Sequence, residues 1–203
     1  MKKLTLLLIT LLLCSNIHAQ DNRIHVIHNT ENGVLRDLYI PLNDNNKVEY
    51  SQVVTMKNKT AKEIYNASKI ALTSFWNSYK DVSQLDDSEM NMIISKGWTG
   101  WTKSPDNLVS IAMNVQMSIK VECRDGRYRI SVYDFGSFLH TPYGNVDINQ
   151  EDATEHGIKK NRRIKESNLN GLSWLAWDQS AKKAISTIQQ LIKNAHKTTQ
   201  EDW

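Results

Sequence analysis

The chain has 203 residues, with 25 Lys and Arg against 22 Asp and Glu, and a formal net charge of +3 at pH 7. Two of those cations, Lys2 and Lys3, open an apolar N-terminal stretch, so the rest of the chain is close to neutral. This excludes the strong basic field of a nucleic-acid or anionic-membrane binder. No later stretch is apolar over the ~20 residues that cross a bilayer.

Residues 4–13 are apolar apart from Thr5 and Thr10, and Ile17-His18-Ala19 precedes Gln20. A positive start, a short apolar core and a small residue at the junction describe a secretory signal peptide over residues 1–19, cleaved between Ala19 and Gln20. The sequence therefore predicts a periplasmic or otherwise extracytoplasmic protein. Leu13 stands where a lipoprotein signal carries Gly, Ala or Ser, which favours soluble export over lipidation of Cys14. Cys123 is then the single cysteine of the exported chain, so no intramolecular disulfide forms and stability must come from a core.

Residues 20–47 form an N-terminal segment with two short apolar runs, 24–27 and 34–40, separated by Asn29 to Gly33 and readable as a hairpin. Residues 48–197 read as a single domain, and 198–203 as a polar tail. Residues 48–56 are rich in β-branched side chains and predict a strand. Thr60-Ala61-Lys62-Glu63 is a capping box that opens a helix. Ile64, Ala67, Ala71, Leu72, Phe75, Trp76 and Tyr79 follow at helical spacing. Strand candidates come next at 82–86 and 90–101. Over 108–123, Val109 to Cys123 at every second position are apolar while Ser110, Asn114, Gln116, Ser118, Lys120 and Glu122 face the other way. A period of two marks a strand with one buried face. Arg124-Asp125-Gly126-Arg127 supplies a hairpin turn, with Asp-Gly suited to positive φ, and Tyr128, Ile130 and Val132 restart the alternation. Residues 138–171 lack periodicity and read as a long loop. A last helix is predicted over 172–195. The order β-α-β-β-β-β-α predicts an α+β two-layer sandwich, an antiparallel sheet with both helices on one face.

That order, with the capping box, Gln84-Leu85-Asp86-Asp87 and the Arg124-Asp125-Gly126-Arg127-Tyr128-Arg129 hairpin, resembles the exported DUF4468 family, a group of unknown function with a TBP-like fold found mainly in Bacteroidetes. The resemblance covers residues 48–135, with the last helix matching by order only. It implies fold and export and carries over no catalytic residue. "TBP-like" describes shape, and shape alone transfers no DNA binding.

No Gly-x-Ser-x-Gly elbow, His-Glu-x-x-His helix or phosphate-cradling Gly loop occurs, which weighs against an enzyme. No cofactor, metal or catalytic residue is expected. His25 and His28 lack the further ligands of a metal site, and Cys123 falls on the apolar face, where thiols are inert packing. The basic run Lys159-Lys160-Asn161-Arg162-Arg163-Ile164-Lys165 reads as a solvated segment partly balanced by Glu151, Asp152 and Glu155. Trp98 and Trp101, with Tyr133 and Phe135 opposite Tyr128, are candidates for a binding patch on the uncovered sheet face, while Trp174 and Trp177 open the last helix. The sequence thus points to a non-catalytic envelope domain that binds a protein or glycan, with an enzyme whose site lies between the 138–171 loop and the sheet as the alternative.

Overall fold

The computed structural model describes residues 23–29, 35–76, 78–103, 111–141, 144–159, 163–165 and 169–198. The leader, Cys14, the Ala19–Gln20 junction, residues 104–110, the centre of the basic run (160–162) and the tail after 198 lie outside the described residues. In chain order the elements are β1 (Arg23–Asn29), β2 (Leu35–Pro41), β3 (Glu49–Thr55), α1 (Ala61–Trp76), α2 (Tyr79–Val82), β4 (Ser83–Asp87), β5 (Met92–Lys103), β6 (Ile111–Arg124), β7 (Arg127–Thr141), β8 (Gly144–Asn149), α3 (Gln150–Lys159), β9 (Arg163–Lys165) and α4 (Leu169–Thr198).

The predicted alternation in 108–123 becomes β6, whose Met113, Val115, Met117, Ile119, Val121 and Cys123 are all buried on one face. β4 to β7 form an antiparallel meander, and β3 adds to the far side of β7, giving the order β3-β7-β6-β5-β4. Helices α1 and α4 pack against each other and against the apolar face of this sheet. α1 lays Ile64, Ala67, Ser68, Ala71 and Leu72 inward. Each fully buried aliphatic side chain contributes roughly 1.5–3 kcal/mol, so this face outweighs any single cap or surface pair.

The two local motifs meet in space. Thr60 N–H donates to Glu63 Oε2 at 2.8 Å and Glu63 N–H to Thr60 Oγ1 at 3.2 Å, and the Thr60 backbone donor holds the Glu63 carboxyl down to about 2. The hairpin turn supplies a second cap, since Asp125 Oδ1 accepts from Ala61 N–H at 2.7 Å and Gly126 N–H donates to the Lys59 carbonyl at 2.7 Å. Gly126 sits at φ 73°, a conformation that costs glycine nothing. At the other end of α1, Trp76 lies over Gly97, where a Cβ would come within 2.8 Å of the indole ring. Trp76 Nε1 donates to Ser95 Oγ at 3.0 Å and fixes that ring.

The predicted hairpin at 24–40 is present as β1 and β2, antiparallel from Arg23↔Pro41 to Asn29↔Leu35. It belongs to a second, three-stranded sheet completed by β9, which runs parallel to β1. α4 contacts both sheets. Residues 171–178 are accordingly buried all round, including Trp174 and Trp177 at 0 % exposure. The one charge in that stretch, Asp178, accepts from Tyr50 Oη at 3.0 Å and from Lys182 Nζ at 2.8 Å, which meets the requirement that a buried charge be partnered.

The expectation of a long loop over 138–171 does not hold. β7 runs on to Thr141, β8 returns beside it, and α3 and β9 follow. β8 and α3 escape a periodicity reading because few of their described side chains are buried. β8 buries Ile148, and α3 buries Ala153, Thr154 and Gly157 beyond its first residue, too few apolar positions to establish a period. Of the basic run, Lys159 pairs with Glu155 at 2.6 Å, in line with the balanced reading.

β7 carries an irregularity on which its surroundings depend. It pairs with β6 as Ser118↔Tyr133 and then as Gln116↔Gly136, so β7 spends three residues where β6 spends two. That is a β-bulge, and its Asp134 has φ 57°. At the same point β7 changes its outer partner, from β3 (ending at Glu49↔Tyr133) to β8 (starting at Gly136↔Asn149). Phe135 N–H falls between the two partners and donates to Gln150 Oε1 at 2.9 Å.

Replacing Gln150 by Ala leaves that buried donor unsatisfied, and the expected loss is about 1–3 kcal/mol, read as a lower urea midpoint. Buried protons make a second prediction. Burial pushes the Cys123 thiol from 9.0 up to about 11, partly offset by Ser68, and pushes Tyr128 from 10.0 up to about 12 with help from Cys123. The unfolded chain loses these protons first, so stability is complete below pH 9 and falls as pH climbs through the window to about 11 and beyond. Urea midpoints measured from pH 7 to 11 should show the decline, and Cys123→Ala should shallow it.

Candidate functional site

Strand register defines what the uncovered face of the main sheet presents. Directly opposed residues share a face, so one row crosses four strands as Trp98 (β5), Gln116 (β6), Gly136 (β7) and Asn149 (β8). The next row crosses as Lys96, Ser118, Tyr133 and Glu49, ending on β3. The bulge sets Asp134 between the two rows.

These rows floor a basin of about 570 Å³, walled by Asn43 and Lys47 on one side and by Asp147 and Glu151 on the other. The volume lies within the ~300–1,000 Å³ of small-ligand clefts. Each wall is built locally. Asn43 Oδ1 accepts from the N–H groups of Asn45 and Lys47, both at 3.0 Å, closing the turn before β3, while its Nδ2 donates to Glu49 Oε2 at 3.2 Å. Opposite, Asn149 Oδ1 caps α3 by accepting from Asp152 N–H at 2.9 Å. Lys47 Nζ lies 3.1 Å from Glu151 Oε1, joining the two walls.

Asp134 is held by Lys96 Nζ at 2.7 Å and Ser118 Oγ at 3.2 Å, both on Oδ2. Burial raises its pKa, but the hydrogen bond and charge of Lys96, helped by Ser118 and Lys47, outweigh this and hold the carboxyl below its ordinary value. Tyr133 moves upward, pushed by burial and then by Asp134, Glu49 and Glu122. Both shifts lead away from neutrality, the opposite of what a general acid–base pair needs. In all, two lysines face the carboxylates of Glu49, Asp134, Asp147 and Glu151, and both lysines are already ion-paired.

Of the predicted patch, the structure brings Trp98 and Tyr133 together on this face and separates Trp101 from them. Trp98 is 49 % exposed, whereas Trp101 is 7 % exposed and donates from Nε1 to Gln179 Oε1 of α4 at 2.7 Å. An odd separation on one regular strand puts two side chains on opposite faces, so the alternation of β5 already carried that distinction. Phe135 was expected beside Tyr133 and is instead buried against Trp177, with ring centroids 5.9 Å apart, because the bulge reverses the parity of β7 beyond Asp134. Lys96, Gln116 and Gly136 were missed although the same alternation places Lys96 and Gln116 with Trp98. Asp134, Gln150 and the walls had no sequence signal, since they depend on the bulge and on contacts distant in sequence. Cys123 is buried beside Ser68, as the alternation implied. His25 Nε2 lies 2.8 Å from Asp37, the His28 side chain is outside the described residues, and among the described residues no three His, Cys, Asp or Glu side chains converge as metal ligands. No helix among them is long and apolar enough to cross a membrane.

Residues 50–137 match the family described as a domain of unknown function (DUF4468) with TBP-like fold. A crystal structure of a TBP-like protein from Parabacteroides distasonis ATCC 8503 is similar with a TM-score of 0.57 and 16 % identity, over 76 % of this chain and 97 % of that one. A DUF4468 family protein from Bacteroides ovatus ATCC 8483 is similar with a TM-score of 0.56 and 14 % identity, over 77 % and 90 %. At such identities the likeness is one of fold. No curated protein matches the chain. Residues 50–137 run from β3 through α1 and the meander into β7, and over that span the chain matches a DUF4468 domain with TBP-like fold.

Proposed function

We propose that this protein is an exported, non-catalytic binding or assembly domain of the cell envelope, engaging a protein or glycan through the basin on its open sheet face. The half-exposed Trp98 inside a 570 Å³ concavity carries the reading. A large aromatic left uncovered in a concave, otherwise polar site is a recurrent anchor of recognition. Export is supported by the leader, and the Leu13–Cys14 pair favours a soluble form. Nucleic acid is a poor fit, because the paired lysines and surplus carboxylates repel a phosphate backbone. The enzymatic alternative draws support from the basin's position between β8, α3 and the sheet. The two basin groups with displaced pKa values, Asp134 and Tyr133, both move away from neutrality, so binding is the better reading.

Expression of the full chain in a Gram-negative host should place the mature protein outside the cytoplasm, with Gln20 as its first residue by N-terminal sequencing; retention in the cytoplasm would remove the envelope from this proposal. Affinity capture from an envelope fraction should retain a component that Trp98→Ala loses at unchanged melting temperature. Trp101→Ala should instead destabilise the fold, by about 3–5 kcal/mol for a buried Trp. Capture indifferent to Trp98→Ala would sink the binding reading.

A further inference from the structure

Resting on the binding reading, we infer that the occupant of the basin is a saccharide, an uncharged or amino-substituted pyranoside seated on Trp98, and not a protein segment or an anionic polymer. Sugars present two kinds of surface, apolar C–H faces and rims of paired hydroxyls. The C–H face is complemented by an aromatic ring, whose negative face attracts polarised hydrogens. The hydroxyl rim is complemented by planar side chains that accept or donate through two adjacent atoms. The basin concentrates both. Trp98 is the ring, and the same basin holds the Gln116 amide and the carboxylates of Glu49, Asp134 and Asp147, while the Asn43 and Asn149 amides are engaged in building its walls. Gly136 lies in the Trp98 row, between Gln116 and Asn149, and leaves the floor there without a side chain; a Cβ would stand 3.7 Å from the Gln116 side chain.

Charge narrows the class. Lys47 and Lys96 are each neutralised by a carboxylate within 3.1 Å. Glu49 and Asp147 remain as surplus negative charge, which disfavours uronic, sulfated or phosphorylated sugars and accepts hydroxyl or amine donors. Asp134 is ionised, and its Oδ1 accepts no hydrogen bond from any described residue, because Lys96 and Ser118 both use Oδ2. An ionised acceptor fixed by two partners is preorganised to receive a sugar hydroxyl at no further ordering cost. An apolar peptide would have to desolvate these carboxylates without hydrogen-bonding them, a penalty that sugar hydroxyls avoid.

The test is a glycan array bearing neutral hexose, N-acetylhexosamine, amino-sugar and uronic-acid oligosaccharides, probed with the purified protein, with the best ligand then titrated by calorimetry. Neutral or amino-substituted sugars should bind and uronic acids should not. Trp98→Ala should weaken binding by about tenfold or more, as loss of an aromatic anchor does. Gly136→Leu keeps the indole and fills the floor, and should weaken binding to a similar degree; melting curves show that both variants are folded. Binding of no sugar, equal binding of uronic acids, or wild-type affinity in both folded variants would overturn the inference. If envelope capture still depends on Trp98 and the captured species is a protein, the saccharide falls and the binding reading survives. If capture is also indifferent to Trp98, both fall.

Discussion

One extra residue in β7 organises both faces of this domain. Without it, β7 would alternate in step with β6 from hairpin to end, and Phe135 would stay on the open face with Tyr133. With it, Phe135 turns into the core against Trp177 and Tyr50, while Asp134 is left facing Lys96 and Ser118 at φ 57°. A non-glycine residue at positive φ costs on the order of 1 kcal/mol, and the hydrogen bonds at Asp134 and the Gln150 side chain on Phe135 N–H offset that strain locally. The bulge also ends the pairing with β3 and begins that with β8, so the outer edge of β7 is shared by two strands whose facing ends form opposite walls of the basin.

The two faces do different physical work. The covered face holds the stability, in a continuous layer of aliphatic and aromatic side chains from α1, α4 and the sheet; Tyr50 is paired there with Asp178 and Trp177 Nε1 with Ser137 Oγ at 2.5 Å, while Trp174 Nε1 has no hydrogen-bond partner among the described residues. α4 is further enclosed by the sheet of β1, β2 and β9, so its residues 171–178 are buried on every side. The open face is thereby released from packing duty. It can carry ion pairs, amides and an exposed indole at little cost to the fold, because surface pairs contribute only ~0–1 kcal/mol each.

That separation also accounts for the electrostatic character of the basin. Its lysines are held by carboxylates and are not free for anions, and its one strongly held carboxylate is stabilised in the ionised form. The site is built to present fixed acceptors around an aromatic surface. The TBP-like shape of the domain thus coexists with a basin whose surplus charge is negative, opposite to that of a nucleic-acid platform.

The amino-acid sequence by itself determined the meander, its buried face, the first and last helices and the N-terminal hairpin, because these rest on periodicities of 2 and 3.6 and on short-range caps and turns. The parity that places Trp98 and Trp101 on opposite faces is also a local property of one regular strand, but the expectation of a single patch overlooked it and only the structure drew them apart. The elements of residues 138–171 stayed illegible because few apolar residues betray them, and because β9 is satisfied by β1, far away in sequence, while β8 is a short addition hairpinned to the end of β7. Only the tertiary structure decided where β7 breaks step, since a bulge is set by the competition of β3, β6, β8 and Gln150 for one strand, and with it which side chains share the basin.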